Sequence, residues 1–135
     1  MIRRSHAVAA TSLALALAGC SSSSSPLHGE QLTAVAATPG PGGTQQITID
    51  ATNMFRFDPP VIKAHPGTLK ITLVDTGSYP HNLSVESLHV TSQTVTGELG
   101  DTKTTFTVRF AHPGTYDFVC TFHSSAGMRG QFIVH

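Results

Sequence analysis

From about residue 45 onward, apolar and polar positions alternate with a period of two, the pattern of strands with one buried face. Ile47 and Ile49 flank Thr48, Phe55 and Phe57 flank Arg56, and Leu69, Ile71 and Leu73 share one phase. Phe106, Val108 and Phe110 continue it, as do Tyr116, Phe118 and Cys120 against Asp117 and Val119. In the run His81-Asn82-Leu83-Ser84-Val85, positions 81, 83 and 85 fall on one face, which predicts an inward His81 at a strand end. Met54, just ahead of the Phe55–Phe57 strand, is expected in the core. The pentad Ala-His-Pro-Gly-Thr occurs at 64–68 and again at 111–115, each time leading into an alternating strand. Pro followed by Gly at the centre of each predicts a type II turn, and two similar hairpins. About eight short strands without an amphipathic helix point to an all-β chain, a Greek-key β-sandwich.

Before residue 44 the alternation is lost. Met1-Ile2-Arg3-Arg4 is a positive start, and Ala7–Gly19 is an apolar stretch of 13 residues. That is too short to span a bilayer and right for a secretory signal peptide over 1–19. It ends Leu17-Ala18-Gly19-Cys20, which resembles the lipobox of bacterial lipoproteins, where cleavage leaves a lipid-modified cysteine first. The alternative is an ordinary signal peptide with a chance cysteine. Arg3-Arg4 also admits a twin-arginine export signal, although no strongly apolar residue stands just behind it. Ser21–Ser25 and Thr38-Pro39-Gly40-Pro41-Gly42-Gly43 give residues 20–43 the composition of a flexible tether, or of a tether with one short helix over 31–37. Residues 44–135 are then the folded domain. A total of 135 residues, balanced formal charge and 39% hydrophobic content suit one such domain. No basic excess points to a nucleic-acid partner.

The chemistry gathers at one place. Cys120, His123 and Met128 lie within nine residues, at the end of a predicted strand and in the loop that follows it. With His81 they supply two imidazoles, a thiolate and a thioether. Soft sulfur with imidazole suits copper, and two His, one Cys and a long axial Met form the trigonal arrangement used for electron transfer. Structural zinc wants four firm Cys or His ligands, and no second cysteine stands near Cys120. If Cys20 carries lipid, Cys120 is the only remaining thiol and no intramolecular disulfide can form. The other histidines do not converge on this point. His65 and His112 open Pro-Gly turns, His89 lies in a polar stretch, His135 is the last residue, His6 falls in the signal peptide and His28 in the tether.

Cys-x2-His-x4-Met, preceded by Pro80-His81-Asn82, resembles the cupredoxins of the plastocyanin, pseudoazurin and amicyanin group. The likeness extends over roughly residues 45–135. It includes Met54–Ile62, the turn His65-Pro66-Gly67-Thr68, Ser78–Asn82 and Ala126–Gly130. One departure concerns Phe122, where plastocyanin-like loops usually carry Pro; Cys-Thr-Phe is closer to azurin-like loops. Phe122 retains an N–H that Pro lacks, which could donate to the thiolate and tune its potential. The resemblance implies one type 1 copper per chain and an Asn82 that ties the His81 strand to the Cys120 loop. It also implies a His123 near the surface, where electrons leave.

The expected function is a single-electron carrier outside the cytoplasm, anchored to a membrane by lipid. It would be a monomer serving redox protein partners, membrane-bound or soluble. A copper-buffering or copper-delivering lipoprotein uses the same ligands and is the alternative. An enzyme is disfavoured, because catalytic copper needs an open coordination position. No G-x-S-x-G nucleophile motif or paired-carboxylate signature is present, and a binuclear copper centre needs a second cysteine close to Cys120.

Overall fold

The computed structural model describes residues 32–135. The expected signal peptide, Cys20, His6, His28 and the first part of the tether lie outside the described residues. Residues 32–135 belong to one compact unit.

In chain order the strands are β1 (Val35–Ala36), β2 (Thr38–Pro39), β3 (Gln45–Thr52), β4 (Arg56–Asp58), β5 (Val61–Ala64) and β6 (Gly67–Asp75). Then come β7 (Ser84–Val85), β8 (Val90–Thr91), β9 (Lys103–Phe110), β10 (Gly114–Val119) and β11 (Arg129–Val134). Several are only two residues long, which is why sequence alternation counts about eight. One sheet runs β1-β5-β11-β10-β7-β8; the other runs β2-β3-β6-β9, with β4 also on β3. The two form the Greek-key β-sandwich that the alternation predicts.

The alternating positions become the filling between the sheets. Ile49, Phe57, Leu69, Ile71, Leu73, Val108, Phe110, Phe118 and Phe132 are all buried. Phe57 meets Phe118 across the sandwich at 5.2 Å between ring centroids, and Phe110 meets Phe132 at 5.4 Å. Each such buried side chain contributes roughly 1.5–3 kcal/mol relative to exposure. β11 can lie this close only because residue 130 is Gly. A Cβ there would run into the Phe118 ring and the Pro60 carbonyl oxygen.

Four expectations change. Each Ala-His-Pro-Gly-Thr pentad joins strands of different sheets, β5 to β6 and β9 to β10, so neither is a hairpin. They are corners between the layers, with Gly67 at φ 130° and Gly114 at φ 155°. The two corners lie side by side, since Gly67 pairs with Phe110. Residues 35–39, read from composition as tether, are strands that pair with β5 and β3. The short helix over 31–37 is therefore not formed among the described residues. Met54 is not core but 76% exposed. A turn closed by Phe55 N–H donating to the Thr52 carbonyl oxygen (3.0 Å) places Met54 at its tip.

Candidate metal centre

The site forms at the end of the sandwich where β3, β6 and β10 finish. β10 runs straight into Cys120, which is fully buried as its strand phase predicts. The following loop closes on itself through the backbone. His123 N–H donates to Cys120 O (3.2 Å), Met128 N–H donates to His123 O (3.2 Å), and Cys120 N–H donates to Met128 O (3.1 Å). Gly127, at φ 86°, supplies the left-handed residue that turns the chain back after the short 3-10 turn Ser124–Ala126. Met128, fully buried, thereby sits beside Cys120.

His81 comes from the segment just ahead of β7, the strand beside β10 in the same sheet. It is held by a two-way backbone bridge with Val95: His81 N–H to Val95 O at 2.9 Å and Val95 N–H to His81 O at 2.8 Å. His81, Leu83 and Val85 are buried as the alternation predicts, and Asn82 and Ser84 are buried as well. Both intervening residues face polar partners: Asn82 bonds Thr121, and the Ser84 hydroxyl lies 2.8 Å from the Thr91 hydroxyl.

Three donor atoms meet. The Cys120 sulfur is 3.6 Å from His123 Nδ1 and 3.9 Å from His81 Nδ1, and all three donors lie within 4.8 Å of one another. A metal about 2.0–2.3 Å from each nitrogen and sulfur in a trigonal arrangement separates such donors by roughly 3.5–4 Å, so the spacing fits a shared ion. Burial pushes the His81 imidazolium pKa down and the neighbouring His123 adds to this, against the opposing pull of the Asp75 carboxylate. The ring is kept neutral, the form that binds a metal. Among the described residues, no other group of three His, Cys, Asp or Glu side chains is arranged to hold an ion.

Asn82 is hydrogen-bonded to Thr121, the residue after Cys120. Its Oδ1 accepts from Thr121 N–H (2.9 Å) and from the Thr121 hydroxyl (3.1 Å), while its Nδ2 donates to that hydroxyl (2.8 Å). Phe122 lies in the loop just before His123. The turn closed by His123 N–H carries it outward, and its side chain is 50% exposed. His65, His89, His112 and His135 are exposed and away from the donor cluster. His65 Nδ1 lies 2.7 Å from the His135 carbonyl oxygen, and Tyr116 donates its hydroxyl proton to His112 O at 2.9 Å.

One residue escapes sequence reasoning. Phe55 stacks face to face on the His123 imidazole, with ring centroids 4.3 Å apart and planes 24° apart. Tyr79 leans on Phe55 at 5.4 Å. Periodicity assigns Phe55 to the core beside Phe57, and no local signal marks it otherwise.

A family model for the cupredoxin-like domain matches residues 9–134. The chain belongs to the cupredoxin-like family. Among its relatives is amicyanin-alpha of Methylorubrum extorquens, 30% identical over 94 residues that cover 70% of this chain and 74% of that protein. Two solved structures share the fold. The metal-binding domain of a Cu(I)-exporting P-type ATPase of Streptococcus pneumoniae, with Cu(I), gives a TM-score of 0.62 at 18% identity over 77% of this chain and 97% of that one. Auracyanin A, a blue copper protein from Chloroflexus aurantiacus, gives 0.57 at 17% identity over 69% and 100%. Family membership and the donor set together make copper the cofactor of this cupredoxin. Among the described residues, no helix is long and apolar enough to cross a membrane.

Proposed function

We propose that this cupredoxin carries single electrons outside the cytoplasm, and that Cys120, His81, His123 and Met128 would hold its copper. The observation that carries this reading is the three-donor cluster itself, two members fully enclosed and one, His123, reaching the surface. Copper bound there supplies a one-electron couple. The protein residues do the rest. The closed 120–128 loop and the Asn82–Thr121 clamp fix the donors before any metal arrives, so little needs to rearrange when charge changes. The buried sulfur and His81 keep water from the inner side. Half-buried His123, bordered by Ser124, Ser125, Ala126 and Gly127, gives a redox partner protein a close approach. Export by the signal peptide and lipidation at Cys20 would anchor the chain as a monomer on the periplasmic or extracellular face of the membrane. Its partners would be membrane or soluble electron donors and acceptors, not nucleic acid.

Visible absorption and EPR after addition of Cu(II) test the assignment. An intense blue thiolate-to-copper band with narrow hyperfine splitting is expected, and Cys120→Ala should abolish it. A pale spectrum with ordinary tetragonal EPR would remove the electron-transfer reading and put copper buffering or delivery in its place.

A further inference from the structure

Among the described residues, only two buried side-chain polar atoms lack a hydrogen-bond partner: His81 Nε2 and Asp75 Oδ2. Buried polar groups are almost always satisfied, because leaving one without a partner is costly. Two orphans in one domain therefore need an account. Their chemistry is complementary. His81 turns Nδ1 toward the Cys120 sulfur, so a neutral ring that gives Nδ1 to a metal carries its proton on Nε2 and is a donor. A carboxylate oxygen is an acceptor. They also belong to one corner of the fold: Asp75 Oδ1 holds Gly77 N–H, Gly77 O lies where a Cβ on Gly97 would strike it, and Gly97 is two residues beyond the Val95 that bridges to His81.

Asp75 is held in place independently of His81. It ends β6, its N–H donates to Thr102 O at 2.8 Å, and its Oδ1 accepts from Gly77 N–H at 2.7 Å. The turn beyond it is clamped by Asn53, whose Oδ1 accepts from Ser78 N–H at 2.9 Å. A Cβ on Gly77 would collide with that same Asn53 side chain. One carboxylate oxygen is thus spent on the turn, and the other faces inward without a partner.

We propose that Asp75 is a positioning residue for the metal centre: its Oδ2 accepts the Nε2–H of His81 through one bridging water, which fixes the ring and places a negative charge behind the ligand. Buried waters of this kind join polar groups that do not touch directly. Partners on the far nitrogen of a metal-bound histidine set its orientation and raise its basicity. A more basic ligand with an anion behind it favours Cu(II) over Cu(I), so Asp75 lowers the reduction potential. This inference rests on His81 being a copper ligand.

The test is Asp75→Asn in the full chain, with the potential read by redox titration of the blue band. Asn keeps the acceptor that holds Gly77 N–H and nearly the same volume, but removes the charge. The expected result is an unchanged blue band with Cu(I) favoured about tenfold over the parent, which is about 59 mV for a one-electron couple. A blue Asp75→Asn protein at the parental potential overturns the proposal and leaves the copper site standing. A parent that never turns blue overturns both. The parent also provides a measurement that needs no variant. In the Cu(I)-loaded protein, the His81 Nε2–H should appear in nitrogen–proton NMR as a slowly exchanging signal. If Asp75→Asn does not fold, that signal decides alone, and free exchange with bulk water overturns the proposal.

Discussion

Phe55 is the side chain at the metal end whose backbone is under strain, with φ at 55°, a left-handed conformation that bulky residues rarely adopt. Such strain costs about 1–3 kcal/mol and gathers at functional sites. Here it turns the ring out of the Phe57 face and onto His123, the one donor residue that reaches the surface. An imidazole held on one side by a flat ring has fewer ways to swing off its metal. Phe55→Leu keeps an apolar residue but removes the flat face, and stacked pairs contribute about 0.5–1.5 kcal/mol. Copper loss to a chelator should then speed up roughly two- to tenfold by that same range, followed as decay of the blue band. An unchanged rate would mean that the stack does not restrain His123. The contrast with Cys120 and His81 shows what sequence carries at this scale. Those residues were legible because donor chemistry and strand phase agree on them. Phe55 was not, because a left-handed backbone reverses the side that a two-residue period assigns, and nothing in Met54-Phe55-Arg56 announces it. Met54 was misplaced by the same turn.

At the scale of the element, period-two alternation identified most strands, since a half-buried strand must alternate to fill the layer between the sheets. What it left open is which sheet each strand joins. The paired Ala-His-Pro-Gly-Thr corners look like hairpin turns in sequence because Pro-Gly chemistry bends a chain equally well within a sheet or between two. Strand pairing also creates a cost the linear sequence hides. Asp50 on β3 stands directly opposite Asp58 on β4. Burial, and then the Asp58 charge, push the Asp50 carboxyl pKa above its usual 3.8. A raised folded pKa means that the folded state holds this proton more firmly than the unfolded chain does. The associated stability is present below pH 3.8 and is lost as pH rises through the folded value. At neutral pH the ionised pair therefore works against β3–β4 pairing. Like charges placed opposite each other in a sheet are destabilising. Asp50→Asn should raise the urea midpoint at pH 7, and the gain should vanish at pH 3. A variant no more stable than the parent at pH 7 would show that solvent already screens the pair.

For the whole molecule, the unexpected feature is how early the domain begins. Ser, Pro and Gly read as linker because they bury little, yet edge pairing runs through the backbone, and composition does not report it. Val35–Ala36 lies parallel to β5 at the edge of one sheet, and Thr38–Pro39 lies antiparallel to β3 at the edge of the other. Pro39 is tolerated there because an edge strand has one side that needs no N–H. Ala37, between the two strands, donates its N–H to Lys63 O at 2.8 Å and rests against the core. A single short segment thus covers an edge of each sheet. It does so far from the metal, because β2 pairs with the first residues of β3, whereas Asp75 stands opposite Ala51 near the other end of that strand. Stability and copper chemistry should therefore separate. A chain starting at residue 44 should turn as blue with copper as one starting at residue 32, but unfold at lower urea. With the edges of β3 and β5 uncovered, it should also associate at high concentration, since an open edge is a template for another strand. Urea midpoints and gel-filtration profiles of the two chains decide the matter. Equal midpoints would return residues 35–39 to the tether, and loss of the blue band in the shorter chain would mean that the edge strands help to hold the site as well as the sheets.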